Sequence, residues 1–423
     1  MSNALLWVTA LGLEVCLAIL ASTADAGAIP LQIGLLMTSV LLYTFSAHLV
    51  ARETPDLHKK VVLSLAILYR LTLIGAQPAL SDDVLRYRWE GAVQVEQGGN
   101  PYLMRPEDRR IPGAGFRSGY GPLTTLIEAG TYRAAAAITA DPRAQAFWMK
   151  APAVAFELMT LGLLAGLPVR QLVWYAWSPL PVVEFWWNGH NDALPVLCIL
   201  IAALAARRER WTHALLAIGV GVAAKWWPAM LAPALVWHAG FSWRRVCRWP
   251  LLVLPAAAAA IPFLTVPVGV FIENARFMSG FVGGWRNNDS IFGLLLWATG
   301  DAYRAKYLAF ALIAAAVLWM LRWPVERAML GVIAVVLLIS ANCHPWYLTW
   351  FTPLLVWVRW PPLFVWQALM PMAYLVLVDW RTRGVWDGST AARWWIWGPV
   401  YASMAVWGCL RASRVGSPRD RLS

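Results

Sequence analysis

Ser81–Tyr102 reads SDDVLRYRWEGAVQVEQGGNPY, a polar stretch set between long apolar runs. It carries two adjacent carboxylates, Asp82 and Asp83, then Arg86, Arg88 and Glu90, and it closes at Gly98-Gly99-Asn100-Pro101. The spacing predicts a short helix capped by Ser81, with acidic residues at its positive N-terminal end. Asp82 and Arg86 are four apart and share one helix face; Asp83 shares its face with Tyr87 and Glu90. Two readings are open at this point. One is ordinary capping chemistry, and the other is a general base beside an anion site.

The flanking runs set the fold class. Of 423 residues, 60% are hydrophobic and 14% are charged, whereas a soluble domain carries about 25% charge. Mean hydropathy is +0.55. The apolar blocks are long enough to cross roughly 30 Å of hydrocarbon at about 1.5 Å per residue. The chain therefore reads as an all-α polytopic membrane protein, a single integral-membrane domain over 1–423. The first apolar run, Ala4 to Ala21, lacks a basic leader and reads as a span rather than a signal peptide. The net charge of +12 falls mostly in short loops between spans, which the positive-inside rule explains without nucleic acid. Cys16, Cys198, Cys247, Cys343 and Cys409 are scattered, with neither zinc nor disulfide spacing.

Spans are expected near 4–24, 28–50, 61–79, 147–166, 172–187, 192–206, 249–270, 305–321, 325–341, 346–359, 361–378 and 394–410, with a broken pair of helices over 213–240. The total is about 12–14. Glu128, Tyr132 and Arg133 make 121–140 a helix lying in the membrane interface rather than a span. Basic residues at 52–60, 207–210, 244–248, 322–327 and the C-terminal tail (Arg411, Arg414, Arg419, Arg421) then place both termini in the cytoplasm. Residues 80–145 and 271–290 come out on the opposite side, together with the polar motifs around His190 and His344.

An ionisable residue at membrane depth costs about 3 kcal/mol or more and is a functional candidate by default. Asn188-Gly189-His190-Asn191-Asp192 packs four polar groups into five residues. A polar turn with Asp192 as a cap is the plain alternative, yet a turn has no need of His. Glu184 upstream belongs to the same pocket or is a satisfied intramembrane acid. Lys225 interrupts an apolar run at Trp226-Trp227-Pro228; it either snorkels or meets an anionic head group. Arg286, Asn287 and Asn288 form a hydrogen-bonding set for an anion or sugar, and His344 stands beside Trp346 and Tyr347. Arg105, Arg109, Arg110 and Arg117 make the first polar loop basic, as an anionic ligand or anionic lipid would require. A divalent cation at Asp82-Asp83 with Asp192 or His190 is compatible with the residue types, but nothing in the spacing requires one.

Taken in order, these motifs resemble the bacterial GT-C glycosyltransferases, closest to the polyprenyl-phosphate-mannose-dependent mannosyltransferases of glycosyltransferase family 87 and its relatives. Leu80 to Gly91 with Asn100-Pro101-Tyr102 is similar to their first outer loop, and Gly119 to Leu123 to the Tyr-x-Pro-Leu element that follows. Trp177 to Asp192 is similar to their Asn-Pro-Leu to Gly-His-Asn-Asp block, with Ser178 in place of the usual Asn. Lys225 to Pro228, Trp285 to Ser290 and His344 to Trp350 follow in order. The resemblance spans residues 80–360. It implies a GT-C-like bundle in the bacterial inner membrane, and inverting transfer of a hexose, mannose in most of the family, from a polyprenyl phosphate to an acceptor hydroxyl on the extracytoplasmic face.

On that reading Asp82 is the base and Asp83 the second carboxylate or a metal contact. Arg86, Tyr87, Asn100, Tyr120, His190, Asn191 and Asp192 contact substrate. Asn288 and Tyr347 also contact substrate, and Lys225, Arg286 and His344 meet the donor phosphate. The partners are the lipid-linked donor, a lipid, glycan or other hydroxyl acceptor, and membrane lipid. A transporter or flippase of an anionic lipid or solute is the rival class; it calls for midplane polar groups and inverted repeats.

Overall fold

The computed structural model describes residues 2–23, 26–52, 58–108, 110–240, 249–270, 272–274, 276, 285–388 and 390–415. Arg109, Cys247, the basic cluster at 244–248, the stretch 277–284 and the tail residues Arg419 and Arg421 lie outside them. The described chain is all-α. Its only β-type pairings are isolated bridges from Asn287 to Asn342 and to Gly388.

Five described helical stretches are long and apolar enough to cross a membrane: Ala4–Ser22, Ile29–Arg52, Pro142–Leu164, Ala302–Met320 and Pro361–Arg383. Ala193–Ala206, Trp211–Ala224 and Leu254–Phe263 are apolar but shorter. Their surfaces match the assignment. Val8, Leu11, Leu41, Tyr307 and Leu318 are more than half exposed, while Gln32, Ser39, Ser46 and Thr160 are buried. Apolar groups outside and polar groups inside are what a lipid solvent selects.

The helices up to the first broken crossing are α1 (Ser2–Ser22), α2 (Ile29–Arg52), α3 (Lys59–Ile74), α4 (Asp83–Glu96), α5 (Pro122–Ile138), α6 (Pro142–Trp148), α7 (Ala151–Leu164) and α8 (Val169–Ala176). The expected span at 172–187 is not one straight helix. After α8 the chain turns at Ser178, passes Pro179 and Pro181, and continues as a π-helix over Val182–Trp187. Each proline removes a backbone donor, so the regular ladder cannot continue through them. The wide turn is closed by Asn188 N to Val183 O at 2.9 Å and His190 N to Glu184 O at 2.9 Å.

Further along lie α9 (Ala193–Ala206), α10 (Trp211–Ala224), α11 (Ala232–Ala239), α12 (Leu254–Ala260), α13 (Ile291–Thr299), α14 (Ala302–Met320) and α15 (Val325–Ile339). The expected break at Lys225 is present: α10 ends there in extended backbone, and a 3-10 turn over Trp227–Leu231 follows. The expected span at 346–359 is a 3-10 helix, Pro345–Val356, with Pro345 at its start and Pro353 inside. The chain ends in α16 (Pro361–Leu369), α17 (Val376–Arg383) and α18 (Trp394–Val415).

The helix expected to lie in the interface is α5. At 17 residues it is shorter than the described helices that can cross, and it packs against α4 with Thr124, Thr125 and Glu128 turned inward. Gly91 allows the approach, since a methyl group there would run into the Glu128 carbonyl and the Tyr132 side chain.

A fully buried ion pair anchors the bundle beneath the polar end. Arg70 of α3 donates to Glu157 of α7, Nε to Oε2 at 2.9 Å and Nη2 to Oε1 at 2.5 Å. Its Nη1 donates to the carbonyls of Ala66 and Ala176, both at 2.8 Å. Trp186 Nε1 of the π-helix donates to the same carboxylate at 2.9 Å. The pair thus ties α3, α7 and α8 to the π-turn. Glu157→Ala, which leaves the guanidinium uncompensated, is expected to cost about 3–5 kcal/mol. The apolar double variant Arg70→Met/Glu157→Leu recovers most of that. Thermal unfolding of the three purified proteins in one detergent checks the order.

Candidate active site

The N-terminus of α4 presents the acidic pair. Ser81 Oγ accepts the Asp83 amide at 3.3 Å, so the serine does serve the helix start. Asp83 Oδ2 accepts the Tyr87 hydroxyl at 3.3 Å, one turn on. The same hydroxyl accepts the Asn191 amide at 3.4 Å, which joins α4 to the His190 loop.

That loop follows the π-turn. Gly189 adopts φ +74°, and a methyl group there would meet Lys150 and Val84. The turn points the fully buried His190 with Nδ1 3.0 Å from Glu184 Oε2 and Nε2 3.8 Å from Asp83 Oδ2. Glu184 is itself held by Asn188 Nδ2 at 3.0 Å and by the Tyr374 hydroxyl at 2.9 and 3.1 Å. Burial opposes a charge on His190, but the Glu184, Asp83 and Asp192 carboxylates outweigh it and hold its pKa above the ordinary value.

Asp192 stands at the N-cap position of α9, but its side chain bonds none of the first amides of that helix. One oxygen accepts Lys225 Nζ at 2.5 Å and the other Trp350 Nε1 at 2.9 Å. The pair brings the broken end of α10 and the 3-10 helix to the same place. Three residues make one 3-10 turn, so side chains at i and i+3 eclipse. Tyr347 and Trp350 accordingly stack at 4.4 Å, and Trp227 covers the other face of Trp350 at 3.9 Å. Trp346 lies between two imidazoles, stacked on His190 at 4.4 Å and on His344 at 4.3 Å. Tyr120 meets Tyr87 edge-on at 5.6 Å, with Lys225 Nζ 5.5 Å from its ring centre.

The structure thus gathers Asp83, Tyr87, Tyr120, His190, Asn191, Asp192, Lys225, His344 and Tyr347 around one locus, with Asp82 adjacent in the chain. Other expected contacts lie elsewhere. Arg86 points forward along its helix: Nε donates to Glu90 at 2.8 Å, and the rest of the guanidinium binds the Gly113 and Phe116 carbonyls at 3.1 Å. It braces the first polar loop. Asn100 spends its side-chain oxygen on the Tyr102 amide in a local turn, at 2.9 Å. Asn288 is buried at φ +51°, with its amide on the Cys343 carbonyl and the Met370 sulfur, both at 3.4 Å. Arg286 is paired with Asp289 through Nε at 2.9 Å and Nη2 at 3.2 Å.

It is Asn287, rather than Asn288, that touches the cluster, through Nδ2 to His344 Nδ1 at 3.0 Å. The asparagine donates, so Nδ1 of His344 is the acceptor and the ring is neutral. Burial, and then the nearby His190 and Lys225, push His344 down to about 3. It is a hydrogen-bonding group here and not a cation for a phosphate. Asn287, Trp346, Trp350 and Tyr374 are partners that the motif reading did not single out as site residues. The spacing of Trp346, Tyr347 and Trp350 carried a signal, visible once a 3-10 helix is assumed. Tyr374 carried none. Among the described residues no group of three or more His, Cys, Asp and Glu side chains is arranged to hold a metal ion.

Asp82 reaches solvent, but the surrounding protein removes much of its hydration. That burial, and then the Asp83 charge, push its carboxyl up to about 6. A group of this kind is ionised at neutral pH yet basic enough to take a proton.

An all-α polytopic membrane protein with a cluster of carboxylates, imidazoles and stacked aromatic rings at one end of its bundle has the makings of a membrane-embedded transferase. Residues 12–240 match the family model of the alpha-(1->6)-mannopyranosyltransferase N-terminal domain, the MptA_B family. The match takes in more than half of the chain, and the protein belongs to this family, a family of mannosyltransferases. No curated protein and no solved structure matches the chain.

Asp83→Asn removes the like charge beside Asp82 and leaves the burial in place. The Asp82 carboxyl is then expected to protonate at a lower pH than its present value of about 6, though still above the ordinary range because the burial remains. Infrared titration of the protonated carboxyl band, with Asp82→Asn as the control that loses it, measures the move.

Proposed function

We propose that the chain transfers mannose from a polyprenyl-phosphate donor to an acceptor hydroxyl, on the extracytoplasmic side of the bacterial inner membrane and with inversion at the anomeric carbon. The observation that carries the reading is the Asp82-Asp83 pair, in which one carboxylate is tied to Tyr87 and faces His190 while its neighbour stays accessible with a raised pKa. Asp82 takes the proton of the acceptor hydroxyl. The Asp83 carboxylate beside it raises the basicity of Asp82. Tyr347 and Trp227, half-buried at the two ends of the stack on Trp350, have outer faces of the flat apolar kind that sugar rings lie against. The family description supplies the alpha-(1->6) linkage as the product to look for. The distribution of basic loops supports the sidedness.

Transfer from a panel of radiolabelled polyprenyl-phosphate hexoses, in membranes carrying wild type or Asp82→Asn, tests this. Wild type is expected to move label from the mannose donor to product, and Asp82→Asn to lower the rate by about 10²–10⁴-fold. If Asp82→Asn keeps activity and Asp83→Asn loses it, the base is Asp83. Inserted, folded wild type that uses no lipid-phosphate donor would remove the transferase reading and favour transport of an anionic lipid.

A further inference from the structure

A lipid-phosphate leaving group needs a cation, and the cations that the motifs supply are already engaged. Lys225 Nζ is 2.5 Å from Asp192, and Arg286 is paired with Asp289 through two nitrogens. Arg86 is committed to Glu90 and two carbonyls, and His344 is neutral through its acceptor role toward Asn287.

Arg381 is different. It lies on the last turn of α17, more than a hundred residues beyond the stretch the family model covers. Its Nη2 donates to the Ala79 carbonyl, three residues before Asp82. Among the described residues it forms no ion pair, although its charge is felt at Asp82. Its neighbour Arg383, by contrast, is paired with Asp379. Arg381 is exposed, so most of its five N–H donors remain free for a ligand. The segment that carries it also reaches the aromatic cluster. Trp380 meets Trp386 at 6.1 Å, and Trp386 lies 6.3 Å from both Trp285 and His344.

We propose that Arg381 binds the phosphate of the lipid-linked sugar donor and stabilises the phosphate monoester as it leaves. The assignment rests on the transferase reading above. In the reaction the acceptor oxygen bonds to the anomeric carbon and its proton goes to Asp82. The bond from that carbon to the phosphate oxygen breaks, and its electron pair stays on the phosphate. The charge that grows there is met by a planar guanidinium, which bonds two phosphate oxygens at once. The Ala79 carbonyl holds the guanidinium beside the acidic pair, so base and leaving-group cation flank one reacting centre. A basic residue near a helix C-terminus also serves the helix itself, and the experiment separates the two roles.

Full-length protein in lipid nanodiscs is compared as wild type, Arg381→Gln and Arg381→Lys. Glutamine keeps a donor for the Ala79 carbonyl but removes the charge. The probes are a short-chain prenyl monophosphate as product inhibitor, inorganic phosphate and the matching prenyl alcohol. Arg381→Gln is expected to weaken inhibition by prenyl monophosphate at least tenfold and to lower kcat by a similar factor. Acceptor KM and thermal stability stay as in wild type, and Arg381→Lys recovers part of both losses. Unchanged inhibition in Arg381→Gln, with or without a lower Tm, reduces Arg381 to a helix-end residue and overturns the proposal. Inhibition by inorganic phosphate as strong as by the prenyl ester would also overturn it. If wild type transfers no sugar at all, the transferase reading fails separately. Tryptophan quenching by prenyl monophosphate then decides the site alone: quenching in wild type that Arg381→Gln loses sustains it, and equal or absent quenching in both ends it.

Discussion

The site depends on the carboxylate of Glu184, held in the wide turn of the π-helix. It receives Asn188 and Tyr374 and sits 3.0 Å from His190. A buried carboxylate is tolerated only when its acceptor sites are filled, and these partners come from its own turn and from near the C-terminal end of the chain. The wide turn places Glu184 and His190 on the same side. In an α-helix residues six apart point in clearly different directions. Gly189, at φ +74° just after the π-turn, is part of the reason His190 faces Asp83.

Charge pairing separates scaffold from chemistry in this molecule. Arg70 with Glu157, Arg86 with Glu90, and Lys225 with Asp192 are close pairs with little or no exposure. Such pairs contribute little net stability but are costly to break. Two of them fix where elements meet, α3 on α7 and α10 on the His190 loop, and the third orients Arg86 so that its remaining donors hold the Gly113 and Phe116 carbonyls. Asp82 and Asp83 are two like charges side by side with no guanidinium or ammonium within ion-pairing distance among the described residues. Here the chain keeps unfavourable electrostatics in an accessible position, and such places are where function concentrates.

Much of this was legible in the sequence. Apolar block length gave the membrane class, and the break at Lys225 is where the residues put it; the helix expected to be capped by Ser81 begins at Asp83, with Asp82 at the N-cap and Ser81 one residue before it. Motifs as far apart as Asp83, His190 and His344 were expected at one end of the bundle, and they are in contact or linked through Trp346. What could not be read was the direction of long side chains. Arg86 shares a helix face with both Asp82 and Glu90, and nothing local says which carboxylate it will take. Arg286 and Asn288 stand beside Asn287 in a motif that looks polar throughout, yet only Asn287 reaches His344; the backbone at φ +51° turns Asn288 inward. Spans were also drawn too straight, because an apolar run over 172–187 or 346–359 shows its hydrophobicity plainly and its irregular helical register hardly at all.

The family match ends at residue 240, but the site does not. Glu184 needs Tyr374, Asp192 needs Trp350, and His190 stacks on Trp346. The dependence extends below the site, where Tyr43 and Trp174 pack on Phe364. Deleting the later residues would leave Asp192 with only Lys225, and His190 without the ring that fixes its plane. The segment that carries the acidic pair and the segment that covers it are thus parts of one packed unit. A substitution in the last third of the chain can change the electrostatics at Asp83 as directly as one in the matched region, because the imidazole facing Asp83 is held from both.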